Sequence, residues 1–282
     1  MRTPDFLIVG AMKCGTSTLA AQLKAQDGIF VTSPKEPNYF SDDAVFANGP
    51  GWYGSLFDDA NEGDLLGEAS THYTKSPNHP HTVGRAKAAL DQVKIVYLVR
   101  NPIDRVVSHY IHEWSMGRIK VDIDTALRTN PELIEYGRYA YQIQPWIEAF
   151  GKENVLILSL EEMKRTPDAV LDEVCRFVGF KGIVSWTQEF AQENVSAERS
   201  RPLPLHSLLV DNPIATTLRR ALVPKSVRTW IRRRRQMVER PELSPRNLSQ
   251  LERIFEKDFK ELKRLFPHAS FLDSSYQFSK PR

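Results

Sequence analysis

The chain has 282 residues, of which 41% are hydrophobic and 26% are charged, and its net charge is +3. This composition is that of a globular protein and excludes disordered and collagen-like chains. So small a net charge gives no reason to expect a nucleic-acid partner, and two cysteines, Cys14 and Cys175, are too few for a disulfide-stapled secreted domain. No apolar run is long enough to span a bilayer. We therefore expect a single cytoplasmic domain over residues 1–282, without a membrane anchor.

Short apolar runs alternate with helical patterns along the first two thirds of the chain. The runs Phe6–Val9, Val93–Val99 and Asn154–Leu160 contain few polar residues, as in parallel strands covered on both faces, and Ile29–Pro34 is a further strand candidate. The helical patterns are Ser17–Ala25, Val83–Leu90, Asp104–Trp114, Tyr141–Phe150 and Pro167–Val178. This alternation predicts an α/β fold, in which helices flank a central parallel β-sheet.

Two further stretches differ in character. Pro34–Pro80 is rich in proline and glycine, and we predict a long irregular segment that serves function. Ser244–Leu265 has an apolar stripe at helical spacing. Ser244 is suited to cap that helix, with Pro245 at its first position.

A basic segment lies before this last helix. Residues Arg199–Arg240 include eleven Lys or Arg residues and two acidic ones, a local charge of +9. We predict a basic helical insertion here, and three interpretations stay open. Residues 218–235 could lie on an anionic membrane surface, form a wall of a cleft for an anionic glycan, or be a solvated helix whose Arg stems cover apolar surface.

The turn after the first strand has the features of an anion site. It reads GAMKCGTST from Gly10 to Thr18, so a glycine-bearing turn leads directly into a helix. Backbone N–H groups and the positive end of the helix favour a phosphate there, and Lys13 adds a full charge. In the GxxxxGK[ST] pattern of nucleotide triphosphatases a Lys would follow the second glycine, but Thr16 stands there. This argues against a magnesium–ATP site; the alternative is a plain tight turn with an exposed lysine.

A second strand-to-helix corner follows Val93–Val99. Arg100 stands at the carboxyl end of that strand, where open α/β sheets bind ligands, and a helix is predicted to begin near Asp104. Ser108 lies about one turn inside this helix. Arg and Ser together can hold a second phosphate, through a guanidinium fork and a hydroxyl.

Both corners resemble motifs of the sulfotransferases that use 3′-phosphoadenosine 5′-phosphosulfate. GAMKCGTSTL is similar to their 5′-phosphosulfate loop and LVRNPIDRVVSHY to their 3′-phosphate motif, in the same order. The resemblance runs from about residue 5 to residue 205 and is closest to the heparan sulfate sulfotransferase-like branch and its bacterial homologues. It also includes the segments KEPNYFS, GWYGSLF, GEASTHY, PWIEAF and ILSLEEM.

The resemblance implies a fold like that of P-loop nucleoside-triphosphate hydrolases and a metal-independent transfer of a sulfonyl group. The donor would be 3′-phosphoadenosine 5′-phosphosulfate, and the product adenosine 3′,5′-bisphosphate. The acceptor would offer a hydroxyl or amine, on a carbohydrate or glycoconjugate by resemblance to the heparan sulfate branch. By match to the family motifs, the donor-binding residues would be Lys13, Cys14, Gly15, Thr16, Ser17, Thr18, Arg100 and Ser108, joined by Arg199, Ser200 and Arg201 from a later basic loop.

Two residues are candidates for the general base. Glu36 follows the strand candidate Ile29–Pro34 and matches the catalytic glutamate of the heparan sulfate branch. His72 is the rival, because imidazole titrates near neutrality and another branch of the family takes its histidine base from about this region. The residues around His72 resemble the motif of that branch only poorly. The heparan-type branch also has a lysine where this chain has Ala69, so a second cation is either missing or supplied by Lys35.

Other classes of function remain open from the sequence. A P-loop kinase or nucleotidase is the enzyme alternative, and a membrane-surface or adaptor protein that uses the Arg-rich segment is the non-enzyme alternative. His109, His112 and Glu113 share a predicted helix, but their order does not match the H-E-x-x-H zinc pattern, so we predict no metal site. The sequence does not indicate the acceptor's identity or the oligomeric state.

Overall fold

A computed structural model describes residues 2–188, 237 and 239–275 of the chain. The predicted basic insertion falls almost entirely outside these residues. Arg199, Ser200 and Arg201 therefore lie outside the described part of the chain, as does the stretch 218–235.

The described residues contain a five-stranded parallel sheet in the order β2-β3-β1-β4-β5. The three apolar runs form β1, β4 and β5, which confirms those predictions and the α/β class. Every residue of β1 is buried, because strands and helices surround it. The strands are β1 Phe6–Gly10, β2 Ile29–Val31, β3 Leu65–Ala69, β4 Lys94–Val99 and β5 Val155–Ser159.

The segment predicted to be irregular is in fact structured, and the prediction for Pro34–Pro80 was wrong. It holds the strand β3, two short helices and a 3₁₀ turn at Thr71–Thr74. β3 escaped notice because only five residues form it and two of them are Gly67 and Glu68, so no apolar run marks it. Gly67 is needed where it is, since a Cβ there would collide with the ring of Phe6 on the neighbouring strand.

Two groups of helices pack on the sheet. The helices α1 and α10 contact each other and the strands, and α8 contacts β4, β5, α4 and α11. The helices are α1 Thr16–Lys24, α2 Asp43–Phe46, α3 Gly49–Ser55, α4 Thr82–Ala89, α5 Pro102–Ser115, α6 Ile123–Thr129, α7 Glu132–Glu135, α8 Tyr139–Phe150, α9 Leu160–Arg165, α10 Pro167–Val178, α11 Pro245–Leu265 and α12 Phe271–Ser275.

The C-terminal helix α11 follows its sequence pattern closely. Ser244 caps it by accepting a hydrogen bond from the backbone N–H of Asn247, and Pro245 is its first residue, as predicted. Leu251, Phe255 and Leu262 of the apolar stripe are buried. These contacts hold α11 against α8 and α5.

The strand order creates a switch point in the middle of the sheet. From β1 the chain crosses to β2 and β3 on one side, and later to β4 and β5 on the other. Ligands of open α/β sheets bind outside the carboxyl ends of the strands at such a point. The carboxyl ends of β1 and β4 are adjacent there, and both lead into the corners that the sequence singled out. Among the described residues, no helix is long and apolar enough to cross a membrane.

Candidate active site

The corner after β1 is an open loop that delivers the chain into α1. The Ala11 N–H donates to the carbonyl of Leu98 on β4 over 2.8 Å, which fixes the loop to the switch point. Gly10 is required because a Cβ would collide with the hydroxyl of Thr74. Gly15 precedes α1 in the left-handed region, with φ 88°, a conformation that costs glycine little. The first turn of α1 therefore presents its N–H groups at this loop, where an anion is stabilised.

The residues of this corner differ in backbone strain and in burial. Lys13 has a φ of 70°, strained for a residue with a Cβ. Thr16 and Thr18 are buried, and Ser17 is half-buried on the first turn of α1. The Cys14 sulfur lies 3.4 Å from the hydroxyl of Tyr139, and burial raises the pKa of this thiol to about 11. Cys14 is therefore a protonated packing residue at neutral pH.

The corner after β4 meets the first corner directly. The Arg100 guanidinium donates to the carbonyl oxygen of Lys13 over 3.4 Å, so the structure brings these two sequence-predicted residues together. The helix α5 begins at Pro102, earlier than predicted, because the Asn101 side chain caps it by accepting from two backbone N–H groups. Ser108 is buried further along α5.

A buried arginine that sequence reasoning missed lies beneath the second corner. Arg105 is fully buried on α5 and donates to the carbonyl of Leu133, while its other terminal nitrogen lies 3.4 Å from Nδ1 of His109. Burial lowers its pKa, and the nearby Arg100 lowers it further. The charge of Arg105 adds a positive potential under the site. Its neighbours on the same face of α5, Ser108 and His109, are polar as well, so the helical pattern gave no signal of its burial.

Glu36 is held on the same edge of the sheet, in the loop after β2. Its N–H donates to the carbonyl of Ala69 over 3.0 Å, and its carboxylate accepts from Lys35 at 2.8 Å and from the Thr71 hydroxyl at 3.2 Å. Burial raises the pKa of Glu36, but the charges of Lys35 and Lys75 and these hydrogen bonds outweigh it, so the pKa lies below its usual value. Glu36 is therefore an ionised carboxylate at neutral pH.

Backbone strain is concentrated at this edge. Among the described residues, the non-glycine residues with positive φ are Lys13, Glu36 and Asn38, at 70°, 61° and 57°. Each such residue costs on the order of 1–3 kcal/mol, and strain of this kind clusters at functional sites. The surrounding hydrogen bonds maintain it: the Asn38 N–H, for example, donates to the Ser70 hydroxyl over 3.1 Å.

A buried carboxyl supports the Glu36 loop from below. Glu68 on β3 is completely buried and accepts from the Tyr53 hydroxyl at 2.5 Å and the Ser70 hydroxyl at 2.7 Å. Burial raises its pKa, while hydrogen bonds from Ser70, Tyr53 and Tyr73 oppose the rise. Through Ser70 and Asn38, this carboxyl is linked to the strained segment that carries Glu36.

His72, the rival base, lies in the 3₁₀ turn after β3. Its ring stacks on His79 with centroids 4.9 Å apart, and its Nδ1 is buried without a described partner. Burial lowers its pKa to about 4, assisted by the charge of Lys75. At neutral pH His72 is thus a neutral imidazole and Glu36 an ionised carboxylate, so each can accept a proton and their pKa values alone do not separate them as bases.

The residue after this turn, Lys75, is a second feature that the sequence did not reveal. It is 9% exposed, and its ammonium lies 5.8 Å from the ring centre of Tyr136. Burial lowers its pKa to about 8. The proline- and glycine-rich composition of Pro34–Pro80 predicts an irregular segment, in which a lysine gives no reason to expect burial.

The three residues that the zinc pattern did not fit lie close together, and Arg118 joins them. Nε2 of His109 and Nε2 of His112 lie 3.7 and 3.8 Å from one carboxylate oxygen of Glu113, and Arg118 lies 3.1 Å from the other. Burial and the charge of Arg105 hold the pKa of His109 well below its usual value. Arg118 is thus the firm charge partner of Glu113.

The parallel sheet and its two adjacent strand-to-helix corners define a P-loop-like α/β protein. The family profile described as the sulfotransferase domain matches residues 3–263 of the chain. The chain belongs to this family.

Known relatives agree with this assignment. The mouse bifunctional heparan sulfate N-deacetylase/N-sulfotransferase 3 is 27% identical over 198 residues, which is 63% of this chain and 22% of that protein. The mouse heparan sulfate glucosamine 3-O-sulfotransferase 3A1 is 26% identical over 194 residues, covering 64% of this chain and 47% of that protein. The chain thus spans less than half the length of these relatives.

Solved structures show the same fold. A sulfotransferase from Alicyclobacillus acidocaldarius superposes with a TM-score of 0.68 at 24% identity, over 95% of this chain and 97% of that one. Mouse sulfotransferase SULT7A1, crystallised with PAP, superposes with a TM-score of 0.53 at 20% identity, over 97% of this chain and 88% of that one. These likenesses confirm the predicted sulfotransferase fold.

Proposed function

We propose that this chain transfers the sulfonyl group of 3′-phosphoadenosine 5′-phosphosulfate to a hydroxyl or amine of a carbohydrate or glycoconjugate, with Glu36 as general base. Adenosine 3′,5′-bisphosphate is the second product. The observation that carries the proposal is the contact of the two corners, in which Arg100 donates to the carbonyl of Lys13. One nucleotide with a phosphate at each end is the kind of ligand that two adjacent anion sites can hold together.

The side chains present suit such a donor. The first corner offers backbone N–H groups, the Lys13 charge and the hydroxyls of α1, which suit the phosphosulfate end. Arg100 and Ser108 suit the 3′-phosphate, because a guanidinium fork and a hydroxyl are strong donors to phosphate oxygens. Glu36 stands across from them in the loop after β2.

The chemistry assigns a separate task to each group. The acceptor oxygen or nitrogen forms a bond to sulfur while the bond from sulfur to the phosphate oxygen breaks, and the electron pair of the broken bond stays on that oxygen. Lys13 and the N–H groups of the first corner stabilise this charge, and losing one such donor lowers the rate by about 10²–10³. Glu36 takes the acceptor's proton, a contribution of about 10²–10⁴.

The choice of Glu36 over His72 depends on position. Glu36 has a strained backbone, with φ 61°, and its carboxylate accepts hydrogen bonds from Lys35 beside it and from Thr71 on the 3₁₀ turn. The ring of His72 instead stacks on that of His79. Strain that is maintained in this way is typical of a group whose position matters to the reaction.

The carbohydrate acceptor is supported by the relatives, whose names specify heparan sulfate N- and O-sulfotransferases. Acceptor-binding loops vary widely on shared folds, so this part of the proposal is tested separately by a screen of glycans with labelled donor. Location in the cytoplasm and a single domain over residues 1–282 stay predictions.

Two measurements test the proposal. By isothermal titration, adenosine 3′,5′-bisphosphate should bind without metal, whereas magnesium–ATP binding in its place would favour the kinase alternative. The Glu36→Gln variant should retain bisphosphate binding and lose transfer of the radiolabelled sulfonyl group by about 10²–10⁴.

Two variants serve as comparisons for Glu36→Gln. Glu62→Gln makes the same chemical change at an exposed glutamate and should leave transfer unchanged. His72→Gln is the competing arm: if it abolishes transfer while Glu36→Gln turns over normally, His72 is the base and Glu36 is not.

A further inference from the structure

A buried lysine lies at the candidate active site without a role in the reaction as described. Lys75 follows the 3₁₀ turn Thr71–Thr74, and both ends of that turn are tied to the site. The Thr71 hydroxyl donates to the Glu36 carboxylate over 3.2 Å, and the Thr74 hydroxyl donates to the Val9 carbonyl on β1 over 2.8 Å. The turn therefore bridges the proposed base and the strand that delivers the donor loop, and Lys75 comes directly after it.

The ammonium of Lys75 has no close ion-pair partner among the described residues. None of the ion pairs formed within residues 2–188, 237 and 239–275 includes Lys75. Its recorded contact is the ring of Tyr136, 5.8 Å from the ring centre. Lys35 differs, because its ammonium already pairs with Glu36 at 2.8 Å. A charge in a largely buried side chain is costly unless opposite charges or a ligand lie close to it, so an ammonium in this position is suited to an anionic group.

Charged groups from several elements face Lys75. Glu36 from the loop after β2 and Glu113 on α5 favour its charged form, while Arg118 and Arg105 oppose it. Three histidines, on the turn, in the following loop and on α5, have pKa values that the Lys75 charge helps to lower; they are His72, His79 and His109. The charge of Lys75 thus influences titratable groups on the turn, in the following loop and on α5.

We propose that Lys75 is a second cation of the transfer site, whose ammonium donates to an oxygen of the sulfonyl group as it passes from the donor to the acceptor. This inference rests on the proposed function. A group that moves between the first corner and Glu36 lies beside the turn that joins them, and Lys75 is the cation at that turn. Lys75 transfers no proton: the acceptor's proton goes to Glu36, and Lys13 serves the phosphate oxygen that leaves.

If Lys75 has this role, its loss of a proton should be detectable in the pH dependence of kcat/KM. Because burial lowers its pKa to about 8, the ammonium loses its proton just above neutral pH. The pH dependence of kcat/KM reports the ionisations of the free enzyme. The wild-type protein should therefore lose kcat/KM as the pH rises through about 8.

Three variants test the proposal with labelled donor. Lys75→Met should lower kcat by about 10²–10³, the effect of one lost preorganised donor. Its affinity for adenosine 3′,5′-bisphosphate, which has no sulfonyl group, should stay within about threefold of wild type. Lys75→Arg keeps a charge that does not titrate below about pH 12, so it should keep part of the activity and shift the alkaline loss upward. Lys87→Met is the matched control, since Lys87 lies 5.0 Å from the ring centre of Phe150 on an exposed part of α4.

Each outcome decides the proposal. Wild-type kcat in Lys75→Met, or an unchanged alkaline loss in Lys75→Arg, overturns it. Should Lys75→Met fail to fold by circular dichroism, the pH profile of Lys75→Arg decides alone. A wild-type chain that neither binds the bisphosphate nor transfers the label overturns the proposed function and this inference together, a result distinct from failure of the Lys75 variants in an active enzyme.

Discussion

Replacement of Glu68 by glutamine should lower the stability of the fold and the rate of transfer, while donor binding stays nearly unchanged. The Glu68 carboxylate accepts from Tyr53 at 2.5 Å and from Ser70 at 2.7 Å. A glutamine of the same size offers one acceptor oxygen and one amide nitrogen, so one of the two buried hydroxyls loses its acceptor. Leaving one buried donor unsatisfied costs about 1–3 kcal/mol of unfolding free energy, a measurable part of the roughly 5–15 kcal/mol that stabilises a typical domain.

The effect of Glu68→Gln should extend to the base. Ser70 also accepts from the N–H of Asn38, two residues beyond Glu36, so a disturbed Ser70 loosens the strained loop. Misplacing a reacting group by about 1 Å can lower a rate by about 10². We therefore expect kcat to fall by about 10–10². Bisphosphate affinity should be nearly unchanged, because Lys13 and Arg100 lie in the loops after β1 and β4 and not in the segments after β2 and β3.

Urea unfolding, isothermal titration and labelled transfer measure the three quantities. Tyr53→Phe is the control, since it removes one hydrogen bond to the same carboxylate and leaves Ser70 in place; it should lower stability but leave kcat near wild type. A Glu68→Gln variant with lowered stability and wild-type kcat would refute the idea that this network positions Glu36.

The pH dependence of this destabilisation follows from the same burial. Since burial raises the pKa of Glu68, the folded state holds its proton more tightly than the unfolded chain does. Its contribution to stability is full below the unfolded pKa and is lost as the pH rises through the folded value. Glutamine does not titrate, so the stability gap between wild type and Glu68→Gln should narrow as the pH rises above the ordinary pKa of a glutamate.

Two further predictions concern the corners. Arg100→Ala should weaken adenosine 3′,5′-bisphosphate by about 10–100-fold, the effect of a lost charged hydrogen bond; by titration calorimetry, adenosine 5′-phosphosulfate should weaken less, and equal losses would contradict a role in reading the 3′-phosphate. Cys14→Ala should retain kcat, and since the pKa of Cys14 is about 11, its thiol should alkylate slowly at neutral pH. Rapid alkylation detected by mass spectrometry would contradict its assignment as a packing residue.

Periodicity predicted the parts of the fold whose residues are buried on all sides. The apolar runs of β1, β4 and β5 are recognisable in the sequence because strands that are covered on both faces contain few polar residues. β3 could not be predicted in this way, because Gly67 makes room for Phe6 and the buried Glu68 accepts hydrogen bonds from the hydroxyls of Tyr53 and Ser70. Both residues are explained by tertiary neighbours, which a single sequence does not display.

The same limit applies to the candidate site. Lys13 and Arg100 stand in local patterns, a glycine turn and a strand end, and so could be selected from sequence. Lys75 and Arg105 stand in no pattern, and their burial depends on Tyr136, Leu133 and other residues distant in sequence. A charged residue that belongs to no local sequence pattern can be recognised as a site candidate only when the structure shows that it is buried.

The arrangement of the sheet divides the site into two halves with different tasks. The loops after β1 and β4 carry Lys13 and Arg100, which suit the two ends of a nucleotide, while the segments after β2 and β3 carry Glu36 and Lys75. The halves meet through Thr74, which donates to the end of β1 and leaves no room for a side chain at Gly10. Because each half has its own hydrogen bonds, changes after β4 should act on donor affinity and changes after β3 on turnover. A change at Thr74, which belongs to both halves, should affect the two together.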